Sequence, residues 1–275
     1  MTGRIVLITG GSSGIGYCVA SGLRDRGYRV IATARKAADV DKLKSSGYDA
    51  FQIDLANSGS IQSAFKEIIS LTHGKIHALF NNAAYGQPGA VEDLSRDVLQ
   101  QVFESNLFGT HELTRLVIPY MRRQGHGRIV QNSSVLGFIA LKYRGAYIAT
   151  KYALEGLSDA LRMELAGSGI RVSLIEPGPI ASKFRENAHA AFRENIDVTN
   201  SHHSKQYALM EERFKREDAD DPFTLGPEAV LGKVIHALES KRPRDRYYVT
   251  LPTYVFACLK RVLPGKLMDQ ILMRI

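Results

Sequence analysis

Only two cysteines, Cys18 and Cys258, occur in 275 residues, and they stand at opposite ends of the chain. This excludes a disulfide framework and leads to the expectation of reduced thiols in a cytoplasmic protein. Long apolar runs are missing too. Met1 passes almost at once into Ile5-Val6-Leu7-Ile8, which is too short for the apolar part of a secretion signal and is followed by glycines. The most apolar late stretch, Thr250 to Leu259, is broken by Lys260-Arg261 and cannot span a bilayer. Metal-ligand spacing is equally scarce. His73 and His77 are four apart, but Gly74 and the strand that follows spoil any shared helix face, so no metal is expected. The formal charge of +8 favours anionic ligands or surfaces. With no zinc spacing, no RNP-like aromatic motif and no dense basic run, nucleic acid is not the expected partner. Neither disorder-promoting nor collagen-like bias is present.

What is present is ample apolar content, 44% of residues, enough for one sizeable core. Residues 4–9 read as a buried strand, with four consecutive apolar residues bounded by Gly3 and by the glycines after Thr9. In TGGSSGIG, residues 9–16, Gly10, Gly14 and Gly16 let the backbone turn tightly and bring amide N–H groups against a phosphate. A helix over about 14–26 then points its N-terminus at the same anion. A second strand, 28–33, a helix near 38–46, a third strand ending at Ile53-Asp54-Leu55 and a helix to about Leu71 follow. The short strand Ala78-Leu79-Phe80 delivers Asn81-Asn82, and residues 92–123 read as two helices in close succession with Asn106 near their junction. A strand at Ile129-Val130 runs toward Ser134, and another covers 170–175. Six alternations of this kind, each long enough for a right-handed crossover, predict a single-domain, three-layer α/β fold. Its doubly wound parallel sheet, a Rossmann fold, places the site at the carboxyl ends of the strands.

A helix from Ala146 onward places Tyr147 and Lys151 four residues apart on one face. A phenol has a reference pKa of ~10, and a nearby cation is expected to stabilise the phenolate and bring it toward the working range. Ser134, at a strand end, supplies a hydroxyl that can donate to a carbonyl oxygen held beside the phenol. Taken together with the glycine loop, these residues resemble the short-chain dehydrogenase/reductase family, single-domain type, with its TGxxxGIG and YxxxK motifs. The resemblance spans most of residues 4–182 and includes Asn82-Ala83, with Ala84 where the family has glycine, and the Pro177-Gly178 turn.

The resemblance implies that Asn106, Ser134, Tyr147 and Lys151 are catalytic. It also implies that a nicotinamide cofactor meets Gly10, Ser12, Ser13, Gly14, Ile15, Gly16, Arg35, Lys36, Asp54, Leu55, Asn82, Ala83, Tyr147, Lys151, Pro177, Gly178 and Ile180. Asp54 would contact the adenine ring, although it, Asn57 or Ser58 could equally cap the next helix. Asn106 would interrupt helical bonding and hold a water that links the lysine to solvent, or act as a cap. NAD-binding relatives usually have an acid after the second strand. Here Ala34-Arg35-Lys36 offers two cations suited to a 2′-phosphate, so NADP is expected over NAD.

Residues 183–225 are the most polar and least periodic, and read as a substrate lid or a mobile surface loop. A helix from Pro227 to about Leu238 and a last strand at 246–249 precede a tail, 251–275, that mixes apolar residues with Lys260, Arg261, Lys266 and Arg274 against one acid, Asp269. That tail suits a helix pair on a membrane surface, closure of an oily pocket, ordinary packing or a dimer contact. With SLIEPGPI and FTLGPEAV, it resembles the bacterial NADP-dependent aldehyde reductase branch, near retinol and 17β-hydroxysteroid dehydrogenase-like enzymes. The implied substrate is a hydrophobic aldehyde or ketone, and the implied assembly a homodimer or homotetramer. A catalytically silent cofactor-binding sensor of the same fold would be expected to lack the serine, tyrosine or lysine, and none is missing.

Overall fold

The computed structural model describes residues 3–214 and 223–275. In chain order the elements are β1 (Ile5–Ile8), α1 (Gly14–Asp25), β2 (Arg29–Ala34), α2 (Ala37–Ser45), β3 (Asp49–Gln52), α3 (Ser58–Thr72), β4 (Ala78–Asn81), α4 (Arg96–Phe103) and α5 (Gly109–Gln124). They continue with β5 (Gly127–Asn132), α6 (Gly145–Glu164), β6 (Ile170–Glu176), α7 (Phe184–Asn195), α8 (Ser204–Phe214), α9 (Glu228–Glu239), β7 (Arg246–Tyr248), α10 (Leu251–Val262) and α11 (Gly265–Leu272).

The strands form one sheet in the order β3-β2-β1-β4-β5-β6-β7. Every pairing among them is parallel. Successive residues of a strand point to opposite faces, and β1 divides accordingly. Val6 and Ile8 enter a core with Val19, Leu23, Val40, Val230 and Val234, from α1, α2 and α9. Ile5 and Leu7 enter the other, with Ile61, Phe65, Leu113 and Val117 from α3 and α5. Burial on both faces explains why the inner strands read as continuous apolar runs.

The chain moves outward from β1 to β3 and then returns to lay β4 on the other side of β1. The crevice between the carboxyl ends of β1 and β4 is therefore the topological switch point, where such sheets bind ligands. Thr9 and Gly10 leave β1 there, and Asn82 leaves β4. The two ends are tied, because the Asn82 and Ala83 amides both donate to Thr9 Oγ1, at 2.9 and 3.0 Å.

Several local expectations are refined. Asn57 caps α3, its Oδ1 accepting from the Ser60 amide at 2.9 Å. Asp54 instead accepts from Ala56 N two residues on, and residues 53–55 follow β3 rather than belonging to it. His73 is the left-handed residue that closes α3 (φ 50°), while His77 lies next to β4. The two imidazoles thus sit on different elements. The stretch 183–225 is not irregular throughout: it holds α7 and α8, whose Phe192, Ile196 and Tyr207 build a small core with Ala90. The part of that reading that falls on 215–222 lies outside the described residues. No helix among the described residues is long and apolar enough to cross a membrane.

Candidate active site

The glycine loop is built so that it has no room for Cβ atoms. Gly10 and Gly14 have φ of 64° and 51°, a region costly for any residue with a Cβ. At Gly16 an added Cβ would stand 2.0 Å from Gly10 O and 2.7 Å from Asn82 Nδ2. No side chain caps α1 at Ser13, so the positive end of the helix faces the crevice. Amides without side-chain cover above a turn closed to Cβ atoms fit a pyrophosphate. Gly16→Ala is expected to weaken dinucleotide binding by about tenfold or more and to destabilise the fold by about 1–3 kcal/mol. Titration of cofactor fluorescence and a thermal melt would check both, and unchanged binding would remove the loop from the site.

Beside this loop, Gly11 N donates to Thr33 O at 2.8 Å, bringing the end of β2 alongside. Arg35 and Lys36 follow that end, both exposed, and Gln52 Nε2 holds the Arg35 carbonyl at 2.9 Å. Burial raises the pKa of Tyr85, and the positive charge of Arg35 pulls against it.

Tyr147 and Lys151 lie on α6, both buried. Lys151 Nζ donates to Asn132 O at 2.6 Å. Asn132 Nδ2 donates to Asn82 Oδ1 at 3.0 Å, and Asn82 Nδ2 reaches Thr9 O and Gly10 O at 3.1 and 3.3 Å. One chain of hydrogen bonds therefore links the glycine loop to the lysine. The side chain of Asn82 is spent on that link, so its part toward a cofactor is to hold the loop.

Asn106 lies in a five-residue π turn, Glu104–Phe108, between α4 and α5. This is the interruption of regular bonding that was expected. Its amide clamps the Tyr85 backbone in both directions: Oδ1 accepts from Tyr85 N at 3.0 Å and Nδ2 donates to Tyr85 O at 2.9 Å. Nδ2 also reaches Thr150 Oγ1 at 3.4 Å, and Thr150 donates to Tyr147 O at 2.8 Å. Ser134 Oγ accepts from Leu136 N at 3.1 Å, fixing the hydroxyl where β5 gives way to a short 3-10 turn.

Burial dominates the electrostatics of the resting site. Burial pushes the Tyr147 phenol well above its usual range, and the hydrogen bond with Ser134 is the contribution that lowers it. The Lys151 ammonium is directed at Asn132 O, and it stands 5.5 Å from the centre of the phenol ring. Burial also lowers Lys151 itself to about 8, against the opposing charge of Glu155. The resting site thus holds a neutral phenol beside a lysine that is still mostly charged at neutral pH.

With this geometry on hand, the chain can be compared with known proteins. Residues 4–192 match the family model described as short chain dehydrogenase. The chain belongs to the short-chain dehydrogenase family. It is an oxidoreductase of that family, acting on alcohol and carbonyl groups. It is 45% identical over 276 residues to the uncharacterized oxidoreductase YbbO of Escherichia coli K12, covering 99% of this chain and 96% of the relative. It is 32% identical to human 17-beta-hydroxysteroid dehydrogenase type 1, covering 91% of this chain and 78% of that one. The crystal structure of a short-chain dehydrogenase from Streptomyces avermitilis superposes with a TM-score of 0.76 at 27% identity, over 95% of this chain and 93% of the other.

Several residues of this short-chain dehydrogenase site were not singled out in the sequence. Phe184, the first residue of α7, meets the Tyr147 ring edge-to-face at 5.3 Å between centroids. Val91 leans over Gly145, two residues before Tyr147, where a Cβ would meet it at 2.6 Å. Behind the site, Arg246 of β7 joins Glu155, Glu176 at 2.5 Å and Asp159 at 2.7 Å. Glu155 lies one turn after Lys151, and Glu176 directly precedes Pro177, so both carried a positional signal. Phe184 carried none, because it opens a helix in a stretch with little periodicity.

Proposed function

We propose that the protein transfers hydride between NADPH and a hydrophobic aldehyde or ketone, and in reverse between NADP and the matching alcohol. The observation that carries this reading is the convergence of Ser134, Tyr147 and Lys151 on one buried site joined by hydrogen bonds to the glycine loop. Gly10, Ser12, Ser13, Gly14, Ile15 and Gly16 hold the pyrophosphate, Asp54 and Leu55 the adenine side, and Ala83, Pro177, Gly178 and Ile180 the nicotinamide side. Bound there, a nicotinamide would supply the hydride for the carbonyl carbon. Ser134 donates a hydrogen bond to the carbonyl oxygen, and Tyr147 gives that oxygen its proton. A phenol with a raised pKa keeps its proton until the oxygen it faces becomes an alkoxide. Lys151 holds a positive charge beside the phenolate that forms, and Asn106 supports the route by which the proton is replaced.

The choice of NADP rests on Arg35 and Lys36, which follow the end of β2 without a neighbouring acid. Loss of a charge-assisted contact of ~1.5–3 kcal/mol corresponds to about 10–100-fold in affinity. Arg35→Ala is therefore expected to raise the KM for NADPH by about that factor while leaving that for NADH within about twofold. Initial rates with both cofactors check this, and equal use of the two by the unaltered enzyme would overturn the assignment.

An apolar substrate is supported by Phe184 against Tyr147 and Val91 over Gly145, and by the resemblance to a hydroxysteroid dehydrogenase. In this reading α7 and α8 are the lid. The homodimer expected for the family would cover Leu99 and Phe108, on and beside α4, and Tyr152, Leu157 and Met163 on α6, which are apolar side chains left exposed.

A further inference from the structure

The C-terminal helices carry an apolar face that the domain does not use. Thr253 and Ala257 pack α10 inward. On the opposite side Leu251, Val255, Cys258 and Val262 are all exposed, Leu251 at 65% and Val262 at 72%. Their spacing of four, three and four residues places them in a single stripe along the helix. In α11 the buried residue is Met268, and Leu267, Ile271 and the following Ile275 form a second exposed row at intervals of four. With an inner face on the protein and a second apolar row left exposed, these helices have surface for two partners.

The charges around the outer face identify the second one. Arg261 flanks the stripe of α10, and Lys266 and Arg274 stand exposed on and after α11 against one acid, Asp269, while Lys260 is exposed on the other side of α10. Lys233 of α9 adds another cation beside the Tyr254 hydroxyl, at 3.5 Å. Positive charge bordering apolar side chains complements a surface that is apolar inside and anionic outside. A second copy of the chain would bring the same cations together, and the apolar residues suited to such a contact lie elsewhere, on α4 and α6.

We propose that α10 and α11 dock the protein on an anionic lipid surface, with the Leu251–Val262 stripe in the acyl boundary and the lysines and arginines at the headgroups. The docked helices adjoin the site. Thr250 Oγ1 would stand 2.2 Å from a Cβ at Gly178, so the start of α10 abuts the Pro177-Gly178 turn. Tyr254 meets Tyr248, which meets Phe138 in the segment after Ser134, and Lys142 Nζ donates to Met273 O at 3.2 Å. Docking through this tail therefore sets the bilayer next to the loops that border Tyr147. The inference is independent of the substrate, because it rests on the outer face alone.

The test is co-sedimentation of the purified full chain with vesicles of phosphatidylcholine alone and of phosphatidylcholine mixed with phosphatidylglycerol. Binding is expected to the mixed vesicles, to fall with added salt, and to drop by about tenfold or more in V255E/V262E. Both positions are exposed, so the variant keeps the fold, which its circular dichroism and cofactor binding would verify. Absence of binding to the mixed vesicles would overturn the proposal. So would equal binding of the variant, or a self-association that the variant abolishes while vesicle binding persists.

Discussion

Tyr147→Phe is expected to lower kcat for carbonyl reduction by about 10²–10⁴-fold, the usual contribution of a positioned general acid, and to leave NADPH affinity within about threefold. The substitution removes one oxygen from a ring that is otherwise held by its edge-to-face contact with Phe184 and by the bond from Thr150 to its own carbonyl. The ring therefore stays in place while the proton is lost. The hydroxyl interacts with Ser134, so the variant also frees the serine. Ser134→Ala in the same background should then cost less than it does alone. Lys151 contributes the pH dependence. Its pKa is lowered to about 8, so the cation beside the phenol disappears as pH rises through that value. The reduction rate of the native enzyme is expected to fall above about pH 8 with the lysine, while the residual rate of Tyr147→Phe should be flat there. Single-turnover rates across pH, with cofactor binding followed separately, would decide the matter. Full activity in the phenylalanine variant would end the assignment of Tyr147 as the acid.

How much of this could be read from the sequence depends on the range over which each feature is determined. β1 announced itself because four consecutive apolar residues serve two cores at once, and Gly10, Gly14 and Gly16 because a helix start with no room for Cβ atoms needs them. Asn106 was legible as a break between two helical patterns, although its partner, the Tyr85 backbone, lies 21 residues away and has no sequence mark. The doubly wound parallel sheet was legible from the alternation, but β3 was placed too far along. This is a four-residue edge strand, with Asp49 and Gln52 at its ends and little apolar pattern to bound it. The helices α7 and α8 were missed because their apolar contacts are few: Ala188, Ala191, Phe192 and Tyr207 face inward amid charged neighbours. The strength of the coupling between Lys151 and Tyr147 was not legible, for a different reason. Spacing places two side chains on one helix face, but it does not say how deeply both are buried or that Asn132 O claims the ammonium. Desolvation is a property of the packed domain and cannot be counted along a helix.

Arg246→Met is expected to destabilise the protein by about 3–5 kcal/mol, because it removes the cation from a buried group of carboxylates and leaves them uncompensated. Glu176 has no exposed side-chain surface and Glu155 only 8%, and Arg246 Nη1 bonds to both. At ~2–4 °C per kcal/mol for a domain near this size, the loss in Tm is on the order of 10 °C. The sign of the pH dependence follows from Glu176. Burial, then the neighbouring Glu155, raises its carboxyl well above the ordinary range, while Arg246 opposes the shift. An acid whose folded pKa is raised binds a proton that the unfolded chain releases. Its contribution to stability is thus complete below the unfolded pKa and is lost as pH climbs to the folded one. Without Arg246 the folded pKa rises further and the loss extends to higher pH. The difference in Tm between native protein and variant should therefore be smaller near pH 5.5 than near pH 8.5, and melts at the two pH values would show it. A difference that stayed constant would mean that the buried carboxyls do not carry the cost. The same cluster binds the turn after Lys151 to the strand end before Pro177, elements that are 70 and 91 residues from Arg246 in sequence. Loosening it should lower kcat below the melting transition as well, since Lys151 and the Pro177-Gly178 turn are held in register from behind by one guanidinium.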